Sequence, residues 1–286
     1  MNVKVTADST CDLSPALLAR YDITLAPLTV IKDGTSYTDG LTITPQEIFS
    51  HVAAGGSLCS TAAVSVGEYQ ALFSRFAGSC DGLVHITIGS GFSACYQNAC
   101  LASRFPMSGW WIPANLSTGQ GHVVLEACRL RNQAASLDEL CQELEQLTGK
   151  VEASFLLNRL DYMVKGGRCS TVAALGANLL NLKPCIEVRD GKMQVVKKYR
   201  GPYAKCLANY VKDRLDGRPE LRRDRLFITY TPVEPDCLAA VREAVDRYGH
   251  FREVFGASAG CTVSCHCGPG TLGVSSSGSK GEIHVA

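Results

Sequence analysis

The stretch LVHITIG, residues 83–89, decides the fold class. It is a short apolar run, which predicts a buried strand. The stretch FSACYQNACLASRF (92–105) follows it and predicts a helix. A buried strand that leads into a helix is the repeating unit of a parallel sheet covered by helices.

The same alternation extends through the first half of the chain. Further strands are predicted at NVKVTA (2–7), ITLAPLTVI (23–31) and GWWIPA (109–114). Helix starts are predicted at a Ser-Pro pair and at three capping boxes, which begin at Ser14, Thr44, Ser65 and Ser136. We therefore expect an N-terminal α/β domain over residues 1–150, with a parallel sheet flanked by helices.

After residue 150 the pattern changes to one that includes antiparallel elements. Residues 152–158 predict a strand, 160–180 predict a helix interrupted by glycines, and 183–201 predict a hairpin that turns at Asp190-Gly191. Further helices and strands follow. We expect a C-terminal α/β domain over residues 151–286, with a mixed sheet, and a flexible end near the serine run 275–279.

The composition is that of an ordinary globular protein. Of 286 residues, 46% are hydrophobic and 19% are charged, and the formal net charge is +1. A balanced charge does not indicate a nucleic-acid partner. The start MNVKVTADST has no apolar leader, and no run of 18 apolar residues occurs. These features predict a cytoplasmic protein without stable membrane insertion.

The chain has 14 cysteines, which need an explanation. Most are expected to pack as small hydrophobic residues. Cys261, Cys265, His266 and Cys267 lie close together in sequence, but neighbouring side chains diverge on an extended backbone. We therefore expect no metal site, and no motif indicates a bound nucleotide or another cofactor.

Two motifs could carry chemistry. GFSAC (91–95) resembles a Gly-x-Ser-x-Gly nucleophile elbow, but Cys95 replaces the last glycine. His266 could serve Ser93 as a base, although no acid is identifiable. Alternatively, Ser93 and Thr61 lie near helix starts, where N–H groups favour an anion, or they cap their own helices.

The stretch CHCGPGTLG (265–273) raises a similar choice. Gly268-Pro269-Gly270 predicts a turn, which either aims His266 at a ligand or holds a structural histidine bonded to a backbone carbonyl.

Seven stretches together resemble the DegV family in order and spacing, from about residue 3 to about residue 275. They are VTADSTCDLS (5–14), STAAVSVGEY (60–69), HITIGSGFSACYQNA (85–99), YMVKGGRCS (162–170), ALGANLLNLKPCI (174–186), KKYRG (197–201) and HCGPGTLG (266–273).

The resemblance implies a two-domain α/β protein that holds one long-chain fatty acid in a buried apolar tunnel. In some bacteria such proteins present the carboxyl group to a separate fatty acid kinase, which forms an acyl-phosphate. The chain is therefore expected not to be an enzyme by itself. The fatty acid would be its ligand, and it would need no cofactor.

The resemblance also implies roles for single residues. Thr61 and Ser93 match residues that contact the carboxylate, and His266 matches the histidine at the head-group end. Arg168 and Arg200 match basic residues near the mouth, where we expect them to face a phosphate or a docked kinase. The paired glycines before Arg168 predict a close backbone approach or an anion-facing turn.

Some positions depart from the family pattern. Ala62 and Val64 replace a serine and a proline, Ala94-Cys95 replaces Gly-Thr, and Asn115 stands where an aspartate is usual. The lost hydroxyl groups bear on how the head group is held, and Asn115 bears on the kinase step.

Two other functions are compatible with the sequence. The first is a small-molecule hydrolase or transferase that uses Ser93 and His266. The second is a redox or metal-sensing protein that uses its cysteines. In all three cases a monomer is the expected state.

Overall fold

The computed structural model describes residues 1–102, 109–174 and 182–278. Within these ranges the strands form three sheets of four, three and six strands. Every described strand before residue 150 belongs to one of the two smaller sheets, and every later one to the six-stranded sheet. The division into domains 1–150 and 151–286 stays a prediction.

The four-stranded sheet is parallel, as the alternation of strands and helices predicted. Its order is β2 (Thr24–Ala26), β1 (Val3–Asp8), β6 (Gly82–Thr87) and β7 (Gly109–Pro113). Val5 and Val84 face one side of the sheet and Leu83 faces the other, so both faces are apolar and both are covered by helices.

The described helices of the first half are α1 (Pro15–Arg20), α2 (Pro45–Ala53), α3 (Val66–Ser74), α4 (Cys95–Ala102), α5 (Ser117–Leu130) and α6 (Leu137–Thr148). Four of them, α1, α2, α3 and α6, begin directly after the caps predicted at Ser14, Thr44, Ser65 and Ser136. Thr44 and Ser65 form complete capping boxes. Ser136 accepts from the Glu139 N–H, but the Glu139 carboxylate accepts from the Ala135 N–H, so the third box is only half formed.

The segment 23–31 is not one strand. It divides at Pro27 into β2 and β3 (Thr29–Lys32), which belong to different sheets. Together with β4 (Thr35–Thr38) and β5 (Ser60–Ala62), β3 forms an antiparallel three-stranded sheet that the sequence analysis did not predict. The Asp33-Gly34 turn between β3 and β4 was the available signal.

The six-stranded sheet is mixed, as predicted. Its order is β10 (Lys192–Arg200), β9 (Leu182–Arg189), β8 (Val151–Leu156), β13 (Leu272–Ser277), β11 (Arg225–Tyr230) and β12 (Glu253–Ser258). Only β11 and β12 pair in parallel among these described strands. The β9–β10 hairpin turns at Asp190-Gly191, as expected.

The serine run was wrongly expected near a flexible end. Ser275–Ser277 belong to β13, which is buried and pairs with β8 on one side and β11 on the other. Small side chains suit this position because α5 packs against the strand, where the Ser275 hydroxyl meets that of Thr118 at 2.8 Å. Ser279 lies outside the described residues.

The remaining helices are α7 (Asp161–Gly166), α8 (Ser170–Ala173), α9 (Tyr203–Leu215), α10 (Pro235–Tyr248) and α11 (Cys261–Cys267). The glycine-interrupted helix expected at 160–180 is two short helices, and its end, from 175, lies outside the described residues. The segment around His266 is helical, which corrects the extended backbone assumed for its cysteines.

Two apolar clusters contain residues from both sides of residue 150. One includes Val124 of α5 and Phe227 of β11, and the other includes Phe92 and Phe155. The halves are therefore packed together through apolar surfaces. No helix among the described residues is both long enough and apolar enough to cross a membrane.

Candidate functional site

One cavity brings together four of the five residues singled out in the sequence. Thr61, Ser93, Arg168 and His266 all line it. The space outside protein atoms is about 540 Å³, part of which opens to solvent. The other walls are mostly apolar and come from both halves of the chain: Leu28, Ala62, Ala63, Ile88, Phe92, Leu116, Met193, Thr262, Val263 and Cys267.

Thr61 and His266 meet directly in this cavity. Thr61 lies on β5, where it pairs with Val30, and His266 lies in the last turn of α11. The Thr61 hydroxyl and the His266 Nε2 are 2.8 Å apart, although the residues are 205 positions apart in sequence. Among the described contacts, Thr61 therefore does not cap a helix and His266 does not bond to a backbone carbonyl. The alternatives in which Thr61 is only a helix cap and His266 only a carbonyl-bonded structural residue are both wrong.

His266 is a neutral imidazole at physiological pH. Burial, and then the positive charge of Arg168, lower the pKa of His266 to about 4. Its Nδ1 is buried and has no hydrogen-bond partner among the described residues. With one bonded and one unbonded nitrogen, the ring can either accept from Thr61 or donate to it.

Gly166 lets α7 approach the imidazole closely. A Cβ atom added to Gly166 would lie 2.4 Å from the His266 Nδ1, which is closer than any tolerable contact. The next residue, Gly167, ends α7 in the left-handed region at φ 67°. The close approach predicted for the paired glycines is thus found at Gly166, and the turn at Gly167.

Ser93 lies in the same cavity but bonds to Cys95. Its hydroxyl donates to the Cys95 sulfur at 3.2 Å and accepts from the Cys95 N–H at 3.3 Å. Ser93 therefore does cap the start of α4, as one of the two alternatives supposed. No hydrogen bond joins Ser93 to His266 among the described contacts.

The two arginines occupy different places. The Arg168 Nη1 donates to the Gly166 carbonyl oxygen at 2.6 Å, and Arg168, although exposed, lines the cavity together with His266. Arg200 is exposed, is the last residue of β10 and pairs with Leu182. It is not among the described residues that line this cavity.

The residues that depart from the family pattern also lie in different parts of the structure. Ala62 lines the cavity that contains Thr61 and His266, whereas Val64 is buried and its carbonyl accepts from the Asn98 side chain. Asn115 is buried between the halves, where Nδ2 donates to the Val151 carbonyl at 3.3 Å. It borders a different cavity, lined with Glu152, Glu187 and their arginine partners.

A second cavity adjoins the first. It has about 420 Å³ of space outside protein atoms, part of it open, and it shares Leu116, Val263 and Cys267 with the cavity that contains Thr61 and His266. The described residues thus form two adjoining cavities rather than one continuous tunnel, and these three residues border both.

The cysteines give no sign of a metal centre. No disulfide joins any of them among the described residues, and most are buried within the apolar clusters. No group of three or more histidine, cysteine or acidic side chains among the described residues is placed to hold a metal ion.

The sequence analysis did not predict the apolar residues that line the cavity or the side chains that bond to the start of α11. Phe92 and Met193 line the cavity; Phe92 lies within GFSAC, where only Ser93 was given a role, and Met193 lies in no motif. Asp12 and Asp39 bond to the start of α11, and only their presence in a polar stretch hinted at a role.

The chain is similar to known proteins along nearly its whole length. The profile of the family described as "Uncharacterised protein, DegV family" matches residues 2–278. A DegV domain-containing protein of Clostridium acetobutylicum is 28% identical over 278 residues, which is 95% of this chain and 97% of that protein. A protein of Thermotoga maritima named fatty acid-binding protein is 26% identical over 282 residues, 96% of each chain.

A solved structure has a closely similar fold. A structure titled as the fatty acid binding of a DegV family protein from Thermus thermophilus superimposes with a TM-score of 0.87 at 28% identity. The match covers 98% of this chain and 100% of that chain. With a family profile that spans nearly its whole length and a matching fold, the chain belongs to the DegV family.

Proposed function

We propose that this protein binds one long-chain fatty acid, with the carboxylate held by Thr61, Ser93 and His266, and presents it to a separate fatty acid kinase. Catalysis would then reside in the kinase. Relatives named fatty acid-binding proteins support the ligand class. The kinase step, a cytoplasmic location and a monomeric state are parts of the same proposal.

One observation carries this proposal. Two polar side chains from distant parts of the sequence, Thr61 and His266, hydrogen-bond at 2.8 Å within a largely apolar cavity. A small polar cluster at one end of an apolar space is the arrangement that an amphiphilic ligand requires.

The cluster suits a carboxylate that must later react. A buried carboxylate without partners is very costly, so the site must supply donors. If Nε2 of His266 carries the proton, it donates to the Thr61 oxygen, and the Thr61 hydroxyl is free to donate to the ligand. The Ser93 hydroxyl can turn from Cys95 to do the same. Neutral donors bind the carboxylate less tightly than an ion pair would, so less binding free energy has to be overcome when the carboxylate reacts.

Arg168 adds a positive charge at the edge of the site. Its Nη1 donates to the Gly166 carbonyl oxygen, which places the guanidinium at the edge of the cavity. We propose that it attracts the carboxylate and later faces the transferred phosphate, with Arg200 contacting the kinase.

The acyl chain would occupy the apolar walls. At about 0.8 kcal/mol per methylene, a chain of roughly 16 carbons gains about 12 kcal/mol before ordering costs are subtracted. To reach the second cavity it must displace Leu116, Val263 or Cys267, which border both spaces. Met193 can adapt to the ligand because an unbranched thioether fills irregular gaps.

The geometry does not favour a hydrolase that uses Ser93 and His266. Ser93 bonds to Cys95, and His266 bonds to Thr61. A catalytic triad also needs a group that orients the histidine through its second nitrogen, but Nδ1 has no such partner among the described residues.

The ligand can be identified directly. We expect mass spectrometry of an organic extract of the purified protein to find one long-chain fatty acid per chain.

Thr61→Val should lower fatty-acid affinity by roughly 10–150-fold, because a hydrogen bond to a charged group contributes about 1.5–3 kcal/mol. Titration calorimetry with palmitic acid measures this change.

The matched control is Thr35→Val, the same change at an exposed threonine on β4 of the same small sheet. It should leave affinity unchanged. An extract without fatty acid, or equal effects of the two variants, would contradict the proposal. Turnover of p-nitrophenyl esters that depends on Ser93 would favour the hydrolase.

Arg200 can be tested separately from lipid binding. Because it is exposed at the end of β10 and does not line the cavity, Arg200→Ala should preserve fatty-acid affinity. It should reduce acyl-phosphate formation about tenfold with a fatty acid kinase that accepts the unmodified protein. Arg20→Ala, at an exposed arginine of α1, is the control. Equal loss of binding and phosphorylation in Arg200→Ala would refute this role.

A further inference from the structure

Helix α11, which carries His266, is capped by side chains from the other half of the chain. The N-cap residue Gly260 has no side chain with which to cap the helix. Instead the Gly260 N–H donates to the Asp12 carboxylate at 2.9 Å, and the Cys261 N–H donates to Asp39 at 2.9 Å. Asp39 also accepts from the Thr262 hydroxyl at 2.7 Å.

Both acidic side chains are buried and held in place. Asp12 is 7% exposed and Asp39 is 5% exposed. The Ser117 hydroxyl of α5 donates to Asp12 at 2.5 Å, and the Ser9 hydroxyl donates to Asp39 at 2.8 Å. The start of α11 is thus fixed to three separate segments of the first half.

The two acids are close to each other and have no cationic partner. A Cβ atom on Gly260 would lie 2.9 Å from an oxygen of Asp12 and 3.6 Å from one of Asp39. No lysine, arginine or histidine forms an ion pair with either acid among the described residues. Two buried carboxylates in one place disfavour a second negative charge.

We propose that Asp12 and Asp39 are positioning residues for the head-group site, and that the charge of Asp12 sets how firmly α11 holds His266 against Thr61. This rests on the proposed fatty-acid function. His266 lies in the last turn of a seven-residue helix, so a displacement of its start is transmitted to the imidazole. A misplacement of about 1 Å can cost roughly a hundredfold in a site that depends on geometry.

The titration of Asp12 falls near neutral pH. Burial raises the pKa of Asp12 to about 7; the Ser117 hydroxyl and the Gly260 N–H oppose the shift, and the charge of Asp39 adds to it. The other titratable groups that face it are the thiols of Cys11, Cys261 and Cys267, and burial raises the pKa of each to about 12. These thiols stay neutral, so Asp39 is the acidic side chain whose charge acts on Asp12 among the described residues.

The sign of the pH effect follows. The pKa of Asp12 is higher in the folded protein than its ordinary value of 3.8. Its contribution to folding is therefore fully present below pH 3.8 and is lost as the pH rises through about 7. Release of the start of α11 would let water reach the buried Asp12 carboxylate, so ionisation of Asp12 favours release, and the α11 contact should be firmer at about pH 6 than at about pH 8.

The experiment measures palmitic acid affinity by calorimetry at about pH 6 and about pH 8. The unmodified protein should bind about tenfold more weakly at the higher pH, and Asp12→Asn should remove most of this difference. Titration of the ligand's own carboxyl would appear in both proteins. Asp22→Asn is the matched control, since Asp22 has a left-handed backbone (φ 52°) like Asp12 (φ 50°) but is exposed.

A second variant covers the case in which Asp12→Asn fails to fold. Ser117→Gly suits the left-handed φ of 51° at that position and removes the hydroxyl that favours ionised Asp12. It should move the pH dependence of affinity to higher pH. An unchanged pH dependence in either variant, or the same change in Asp22→Asn, would overturn the proposal.

Hydrogen exchange separates this proposal from the fatty-acid function. Amides at the start of α11, measured without ligand and corrected for intrinsic exchange, should be better protected at about pH 6 than at about pH 8. Asp12→Asn should remove that difference. If the protein binds no palmitic acid but α11 behaves in this way, the proposed function fails and the role of the carboxylates in holding α11 stands. If α11 shows no pH dependence, the proposal itself is wrong.

Discussion

Gly166→Ala is expected to weaken fatty-acid binding by at least about tenfold. The added Cβ would lie 2.4 Å from the His266 Nδ1, so the ring must move by about 1 Å to reach ordinary contact. The 2.8 Å hydrogen bond to Thr61 cannot keep its geometry, because the ring lies between the two residues and either the ring must turn aside or Thr61 must move. A shift of this size can cost up to about a hundredfold. Calorimetry with palmitic acid measures the loss.

Gly167→Ala is a stringent control for this effect. It makes the same chemical change one residue later, where a Cβ would meet nothing within 4 Å. Its φ of 67° makes alanine unfavourable by about 1–2 kcal/mol, so thermal stability should fall. Affinity should not. If both variants lower affinity equally, the loss reflects general disturbance of α7 and not displacement of His266.

Gly273→Ala is expected to give the largest loss of stability. Gly273 lies in β13, between β8 and β11, and an added Cβ would lie 2.4 Å from the Ser154 carbonyl oxygen and 2.8 Å from the Cβ of Phe155. Backbone in the middle of a sheet cannot move away as a flexible side chain does. We expect the free energy of unfolding to fall by about 3 kcal/mol and the melting temperature by about 6–12 °C.

The control is Gly278→Ala, just beyond the end of the same strand. Its Cβ would be 3.6 Å from the Lys150 carbonyl oxygen, an ordinary contact. Calorimetric melting should show little change for this variant. A melting temperature for Gly273→Ala that equals that of Gly278→Ala would mean that β13 is not packed as described.

Four of the five site residues named from the sequence and the resemblance lie in the candidate site. Thr61, Ser93, Arg168 and His266 were named from seven stretches scattered along the chain, and the structure brings them to one cavity. Arg200 was named in the same way but lies on the surface at the end of β10. A matching motif identifies a residue, whereas its direction relative to a cavity depends on strand register and on which face of the sheet is covered.

The partners of each site residue were not predictable. The bond between Thr61 and His266 spans 205 positions, and Ser93 bonds to Cys95, which is itself a departure from the family pattern. Gly166 could be flagged as one of two adjacent glycines. Only the packing of α7 against α11 shows that it is the imidazole which needs the space.

The sequence by itself determined the parallel sheet of the first half and most of its helix starts. Thr44 and Ser65 cap helices whose N–H groups lie three residues away, so the information is local. The tertiary structure alone decided that residues 261–267 are helical and face the cavity. That helix is rich in cysteine and other weak helix formers, and its first N–H groups are bonded by Asp12 and Asp39 from 248 and 222 positions away. A helix stabilised by such distant groups has no signal in its own sequence, because it forms only when the two halves pack together.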